Sequence, residues 1–293
     1  MNIGLIDVDS KLPNLALMKI SSYHKSKGDS VFFYDPLFGG QPDLIYASKV
    51  FTFTPDYQYY PADVEIIKGG TGYGITSQLP LEVDCMCPDY SLYPGIDYSL
   101  GFLTRGCPNK CPWCFVPEKE GDIRPYADIE DFCRHDKVLL MDNNVLAHEH
   151  GIEQIEKIAK MGVKVDFNQG LDARLIDDSV AKLLSHLKWW KPIRLACDTA
   201  GQMKHVQKAV ELLRWYNAKP FKGQYSCYVL LKPNEIEDAI ERIKFLKGIY
   251  VDPFVQPYQP PEGRDVPQVE KDLARYCNDK AIFKSVCWEN YKQ

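Results

Sequence analysis

The sequence predicts an α/β protein in two parts, a small Rossmann-like α/β domain followed by a longer run of βα units. Three observations predict it. Short β-type runs alternate with helix-period segments along most of the chain. Breakers such as Gly28 and the Asp35-Pro36 pair end those segments. An apolar content of 45% across 293 residues suffices to bury a substantial core.

Taken in order, Ile3, Leu5, Ile6 and Val8 mark a first strand over residues 3–8. Leu15, Leu17, Met18 and Ile20 give residues 12–27 an apolar helical face, ended by Gly28. Further strands are expected over residues 30–34, stopped by Asp35 and Pro36, then over 44–48, 49–53 and 64–67. The glycine-rich turn at 68–74 suits either a backbone that approaches a phosphate or a tight loop needing positive φ. Residues 79–97, rich in Pro, Asp and Tyr, read as an extended linker. Cys85 and Cys87 within it are either plain thiols or a pair of metal donors. The first domain is accordingly placed at 1–95, including this linker.

The second domain, at 96–260, alternates strands over 98–104, 138–141, 163–167, 193–197, 225–231 and 249–251 with helices over 152–161, 178–187, 203–216 and 235–246. Val206, Val210 and Leu213 form one apolar stripe; Ile236, Ile240, Ile243 and Leu246 form another. A tail over 261–293 carries a short amphipathic helix near 266–277.

The formal charge of −5 argues against a broad nucleic-acid face, which needs basic surface. The N-terminus meets Asp7 early and lacks the basic flank and long apolar run of a signal peptide. No run approaches the length of a membrane span. Ten cysteines without a secretion signal point to reduced thiols or metal ligation, and so to the cytoplasm.

Chemistry concentrates in two places. The first is Cys107, Cys111 and Cys114, spaced Cys-x3-Cys-x2-Cys in a Pro-rich loop. Thiolates this crowded converge on a metal centre: a zinc knot would want a fourth ligand, whereas an iron–sulfur cluster can leave one iron open. The second is a series of polar strand ends: Asp142, Asn143 and Asn144; Asp166, Asn168, Gln169, Asp172 and Arg174; and Asp198. One polar residue after a strand is turn chemistry, but three successive ends facing one rim point to a binding site.

The cysteine spacing, with the aromatic Trp113 before the third cysteine, resembles the signature of the radical S-adenosylmethionine (SAM) enzymes. The stretches from Phe102 to Cys107, Asp142 to Asn144 and Asp166 to Arg174 are similar to a compact bacterial and phage group of them that includes queuine lyases. The resemblance implies a partial (βα)6 TIM-type barrel with functional groups at the strands' C-terminal ends. It implies a [4Fe-4S] cluster on Cys107, Cys111 and Cys114, with S-adenosylmethionine chelated by the open iron. Trp113, Phe115, Asp142, Asn143, Asn144, Arg174 and Asp198 would hold that cofactor; Arg174 would fork onto its carboxylate. Asp166, Asn168, Gln169 and Asp172 would line a small, polar, nucleobase-like substrate. An electron donor such as flavodoxin or ferredoxin is implied. The first domain resembles the cobalamin-binding domain that precedes many such barrels. It lacks the histidine of that domain's Asp-x-His-x-x-Gly motif, since Asp7-Val8-Asp9 stands there, so no cobalamin is expected. Three rival functions remain at this level: a radical methyltransferase or methylthiolase acting on tRNA or protein, a non-catalytic metal-binding scaffold, and a cobalamin or nucleotide carrier using the first domain.

Overall fold

A computed structural model describes residues 1–218 and 224–291. The chain separates into two compact units. One comprises Met1–Asp97 with the short segments Glu118–Glu120 and Pro261–Gly263; the other gathers the remaining described residues.

The first unit is built from β1 (Asn2–Asp7), α1 (Leu15–Ser26), β2 (Ser30–Phe33), β3 (Leu44–Ser48), β4 (Glu65–Gly69) and the short α2 (Leu81–Asp84). Its strands form one parallel sheet in the order β2-β1-β3-β4. Helix α1 starts where the Asn14 side chain accepts the Leu17 amide at 3.1 Å, and it ends before Gly28, whose φ is +83°. It seats Leu17 and Met18 in the core with Ile3 and Leu5 of β1, all of them inaccessible to solvent. Each such side chain contributes about 1.5–3 kcal/mol.

Two expectations fail here. Residues 49–53 do not form a strand. The Asp9 carboxylate accepts the Val50 and Phe51 amides at 2.7 and 2.9 Å, so those groups are unavailable to a ladder. Nor are residues 79–97 an extended linker, since α2 lies within them. Asp84 pairs with Lys19 at 3.0 Å, and Asp89 with Ser21 and Lys25 at 2.6 Å each, fastening this stretch along α1.

Further along the chain come β5 (Ser99–Gly101), β6 (Thr104–Arg105), α3 (Val116–Glu120), β7 (Arg124–Pro125), α4 (Ile129–Phe132) and β8 (Lys137–Leu140). Next are α5 (Glu149–Met161), β9 (Lys164–Phe167), α6 (Asp178–Ser185), β10 (Lys188–Trp189), β11 (Ile193–Ala196) and α7 (Met203–Trp215). The chain closes with β12 (Tyr225–Leu231), α8 (Ile236–Gly248), β13 (Asp252–Pro257), α9 (Gln268–Asn278), α10 (Lys280–Ser285) and α11 (Trp288–Tyr291).

Parallel pairing gives one sheet ordered β10-β9-β8-β5 and another ordered β11-β12-β13. A single parallel bridge, Leu171 to Leu195, joins their chain segments, with the Leu171 amide on the Arg194 carbonyl at 2.8 Å. The place of a fourth long strand is therefore filled in two pieces: β10 pairs with β9, and β11 pairs with β12. Alternate strand residues, among them Val165, Phe167, Ile193, Leu195, Cys227 and Val229, meet the helices in one core. The C-terminal helices belong to that core through Leu273, Tyr276, Phe283 and Trp288, so the tail is part of the unit and not an appendage.

Two strand boundaries also move. The expected strand over 98–104 breaks into β5 and β6, and the second piece pairs antiparallel with β7. The strand expected over 249–251 lies instead at Asp252–Pro257. Helix α8 runs to Gly248, and Tyr250 closes it at φ 56°, a left-handed conformation. Pro253 and Pro257 conceal β13 in the sequence, yet among the described residues it pairs only with β12, and an edge strand tolerates proline.

Candidate functional site

Because β5, β8 and β9 pair in parallel, the segments leaving β8 and β9 share one edge with the cysteine loop that follows β5. The loop is shaped by Gly106 at φ +81°, where a Cβ would stand 2.3 Å from the Asp122 carbonyl oxygen; no other residue fits. The Cys107 amide donates to the Gly121 carbonyl at 3.3 Å, and the Cys114 amide to the Cys111 carbonyl at 3.0 Å. Cys107 and Cys111 are half-buried and Cys114 is exposed. Burial pushes the Cys111 thiol up; the neighbouring Cys114 and Cys107 sulfurs push it further, while Arg174 opposes. The three sulfurs thus share one electrostatic neighbourhood. Among the described residues, no group of three or more His, Cys, Asp or Glu is gathered for a single metal ion. A cluster asks for less convergence, because each cysteine takes its own iron.

Asp142 leaves β8 and turns back on the approach to the loop. Its carboxylate accepts the Leu103 amide at 3.0 Å, and the Thr104 amide and hydroxyl at 2.6 and 2.7 Å. Burial raises its carboxyl to about 6 despite these donors. The group expected to meet the cofactor amine is here occupied with holding the chain three residues before Cys107.

Asn144 lies closer to the sulfurs. Its Nδ2 faces Cys107 Sγ at 3.8 Å and donates to Asp172 Oδ2 at 3.2 Å, while its Oδ1 is buried without a hydrogen-bond partner. A buried acceptor left unpaired costs about 1–3 kcal/mol and implies a missing donor. Asp172 gathers the rest. Oδ2 also accepts Asn109 Nδ2 at 3.3 Å and Arg174 Nη2 at 2.6 Å, and Oδ1 accepts Arg174 Nε at 2.8 Å. Burial alone would raise the Asp172 carboxyl, but the Arg174 fork holds it below the usual range.

The structure therefore brings Cys107, Asn144, Asp172 and Arg174 into one network. It joins Asp172, expected on the substrate side, to Arg174, expected on the cofactor. Asp198, after β11, is raised by burial and accepts the Leu230 amide at 2.9 Å, and its charge reaches Cys111. The Lys232 ammonium stands 4.6 Å over the Trp113 ring. Phe115 is exposed, Gln169 is exposed and Asn143 is half-buried. Asn168 uses its backbone, whose carbonyl accepts the Tyr228 hydroxyl at 2.6 Å. Asp166 is buried in β9 against Arg194.

Asn109, Thr104 and Arg194 were not singled out from the sequence. Asn109 sits between two of the cysteines, and Arg194 is a lone cation in an apolar strand, Ile193 to Ala196; both signals are visible in retrospect. Thr104 carries none, since its role depends on a carboxylate 38 residues away. Compared with known proteins, the sequence matches no family model and no curated protein.

Proposed function

We propose that this chain is a radical SAM enzyme whose second unit is a partial (βα)6 TIM-type barrel and whose first is a Rossmann-like companion domain. Six parallel strands that follow chain order, β5-β8-β9 and β11-β12-β13, with helices packed against one face, support the barrel reading. The observation that carries the function is the network from Cys107 through Asn144 to Asp172, with the orphaned Asn144 Oδ1 beside it.

The donor set fits the cofactor. Cys107, Cys111 and Cys114 would hold a [4Fe-4S] cluster with one iron open, and the buried Asn144 Oδ1 offers an acceptor suited to a ligand's ammonium group. When bound, the cluster and S-adenosylmethionine supply a 5′-deoxyadenosyl radical that removes hydrogen from a substrate. The chain's own residues position and shield. Asp142 fixes Leu103 and Thr104 and so the entry to the loop. Asp172 orients Asn144 and Arg174, leaving part of the guanidinium fork for a carboxylate. Trp113, braced by Lys232, and Phe115 flank the loop as apolar surface for an adenine ring.

The substrate reading is a small, polar, nucleobase-like molecule, specifically queuine cleaved by a lyase reaction, in the cytoplasm, with flavodoxin or ferredoxin as reductant. A tRNA substrate is disfavoured by the net charge of −5. No helix among the described residues is long and apolar enough to cross a membrane. The test is anaerobic reconstitution with iron and sulfide, then reduction with S-adenosylmethionine and chromatography for 5′-deoxyadenosine. Formation that is abolished in Cys107→Ala supports the class. Zinc in place of iron, without cofactor cleavage, returns the chain to a binding scaffold. For the substrate, loss of the cyclopentenediol arm from queuine is expected; intact queuine alongside accumulating 5′-deoxyadenosine would sink that assignment.

A further inference from the structure

One buried ion pair lies outside the network of Cys107, Asn144, Asp172 and Arg174. Asp166 in β9 and Arg194 in β11 lie on the sheet face opposite the shared core, because their neighbours Val165, Phe167, Ile193 and Leu195 all point into it. Arg194 Nη1 donates to Asp166 Oδ1. The two side chains are 17% and 2% exposed respectively, so the arginine fronts the pair and the carboxylate backs it. Tyr228 of β12 shares the face, its ring meeting Phe254 edge-on at 5.7 Å and its hydroxyl tied to the Asn168 carbonyl.

A guanidinium carries five N–H donors. Arg194 places one on Asp166, and among the described residues no other acceptor takes the rest. The segment beside it leads directly to the proposed cofactor network: the Leu171 amide bonds the Arg194 carbonyl, and Asp172 follows. Charge then selects among ligands. Asp166 already neutralises Arg194, and this pair is more buried than Arg174 with Asp172, so a carboxylate added here would leave a net buried negative charge, whereas a neutral oxo group would satisfy donors at no such penalty.

We propose that Arg194, held by Asp166, is a substrate-recognition residue that donates to the ring oxo group of a neutral planar heterocycle. The proposal deepens the radical-enzyme reading, on which it rests for treating this face as the substrate side. A purely structural role is the competing explanation, since the pair also ties β9 to β11 where, among the described residues, one ladder bridge exists.

The experiment is equilibrium dialysis of the reconstituted protein, with S-adenosylmethionine present, against hypoxanthine (a ring oxo group), adenine (an amine in its place) and nicotinate (a planar carboxylate). Hypoxanthine is expected to bind at least about tenfold tighter than either of the others, the ratio a hydrogen-bonding site achieves by leaving its donors unpaired. Arg194→Lys keeps a cation on Asp166 but loses the fork, and should weaken hypoxanthine about tenfold without the same loss for adenine. Should that variant misfold, the double change Asp166→Asn with Arg194→Gln leaves no unpaired charge and should show the same selective loss. Wild-type affinity for hypoxanthine in a folded variant overturns the proposal. So does a wild-type protein that prefers nicotinate or binds no base. Formation of 5′-deoxyadenosine by the wild-type samples is read separately: its absence overturns the radical chemistry, while the dialysis still decides the role of Arg194.

Discussion

At the scale of single residues, Asp142 shows how a carboxylate can act through the backbone. Burial favours its neutral form and lifts the carboxyl to about 6, and the amides of Leu103 and Thr104 offset only part of that. A raised folded-state value means stability that is complete below the unfolded value near 3.9 and lost as pH rises through about 6. The loss amounts to about 3 kcal/mol, since each unit corresponds to about 1.4 kcal/mol. Urea unfolding of wild type and Asp142→Asn from pH 3 to 7 should isolate it. The variant is less stable throughout, because an amide nitrogen faces donors, but the gap between the two narrows by about that amount as pH rises. A constant gap would show that Asp142 does not titrate in this range. The sequence marked Asp142 as polar at a strand end, and no more was legible, because its partners lie 38 and 39 residues earlier. Arg174 and Asp172 are two residues apart, and their pairing follows from local geometry, which is why this part of the rim was more readable.

Among the elements, the cysteine loop depends on a backbone conformation as much as on its ligands. At Gly106 a methyl group would collide with the Asp122 carbonyl, and the φ of +81° is one that other residues avoid. Gly106→Ala is expected to cost about 1–3 kcal/mol of local strain. Measured as iron and sulfide per chain after reconstitution, loading should fall by at least about half while far-ultraviolet circular dichroism is unchanged. Full loading would mean the loop can reshape around the substitution. The regular helices and strands were legible from period because packing against one core imposes it: Val206, Val210 and Leu213 point where the sequence said they would. What escaped was set by tertiary contacts or by proline. The two-residue β10 is too short to carry a period, and the prolines of β13 suppress a strand signal that an edge position permits.

For the whole molecule, the informative feature is where the core ends. The described C-terminal helices bury Leu273, Tyr276 and Trp288 in the same core as the sheets, with the Tyr276 and Trp288 ring centroids 5.4 Å apart. Cys277 lies among them, its thiol pushed up to about 12 by burial, as befits a packing residue and not a reactive one. Leu273→Ala should therefore destabilise the second unit as a core cavity does, by about 2–5 kcal/mol in denaturant unfolding. A change within about 0.5 kcal/mol would mark the tail as an attachment after all.

The two-piece fourth strand has a mechanical consequence. Continuous ladders make β5-β8-β9 one stiff plate and β11-β12-β13 another, whereas among the described residues the two are joined through the Leu171–Leu195 bridge, the Asp166–Arg194 pair and the Tyr228 hydroxyl on the Asn168 carbonyl. Shear stiffness is thus lowest along that line. One plate leads into the cysteine loop and Asn144, the other carries Asp198 and Lys232 on its strand ends. A slight rotation about that seam would change the gap between them without breaking either ladder.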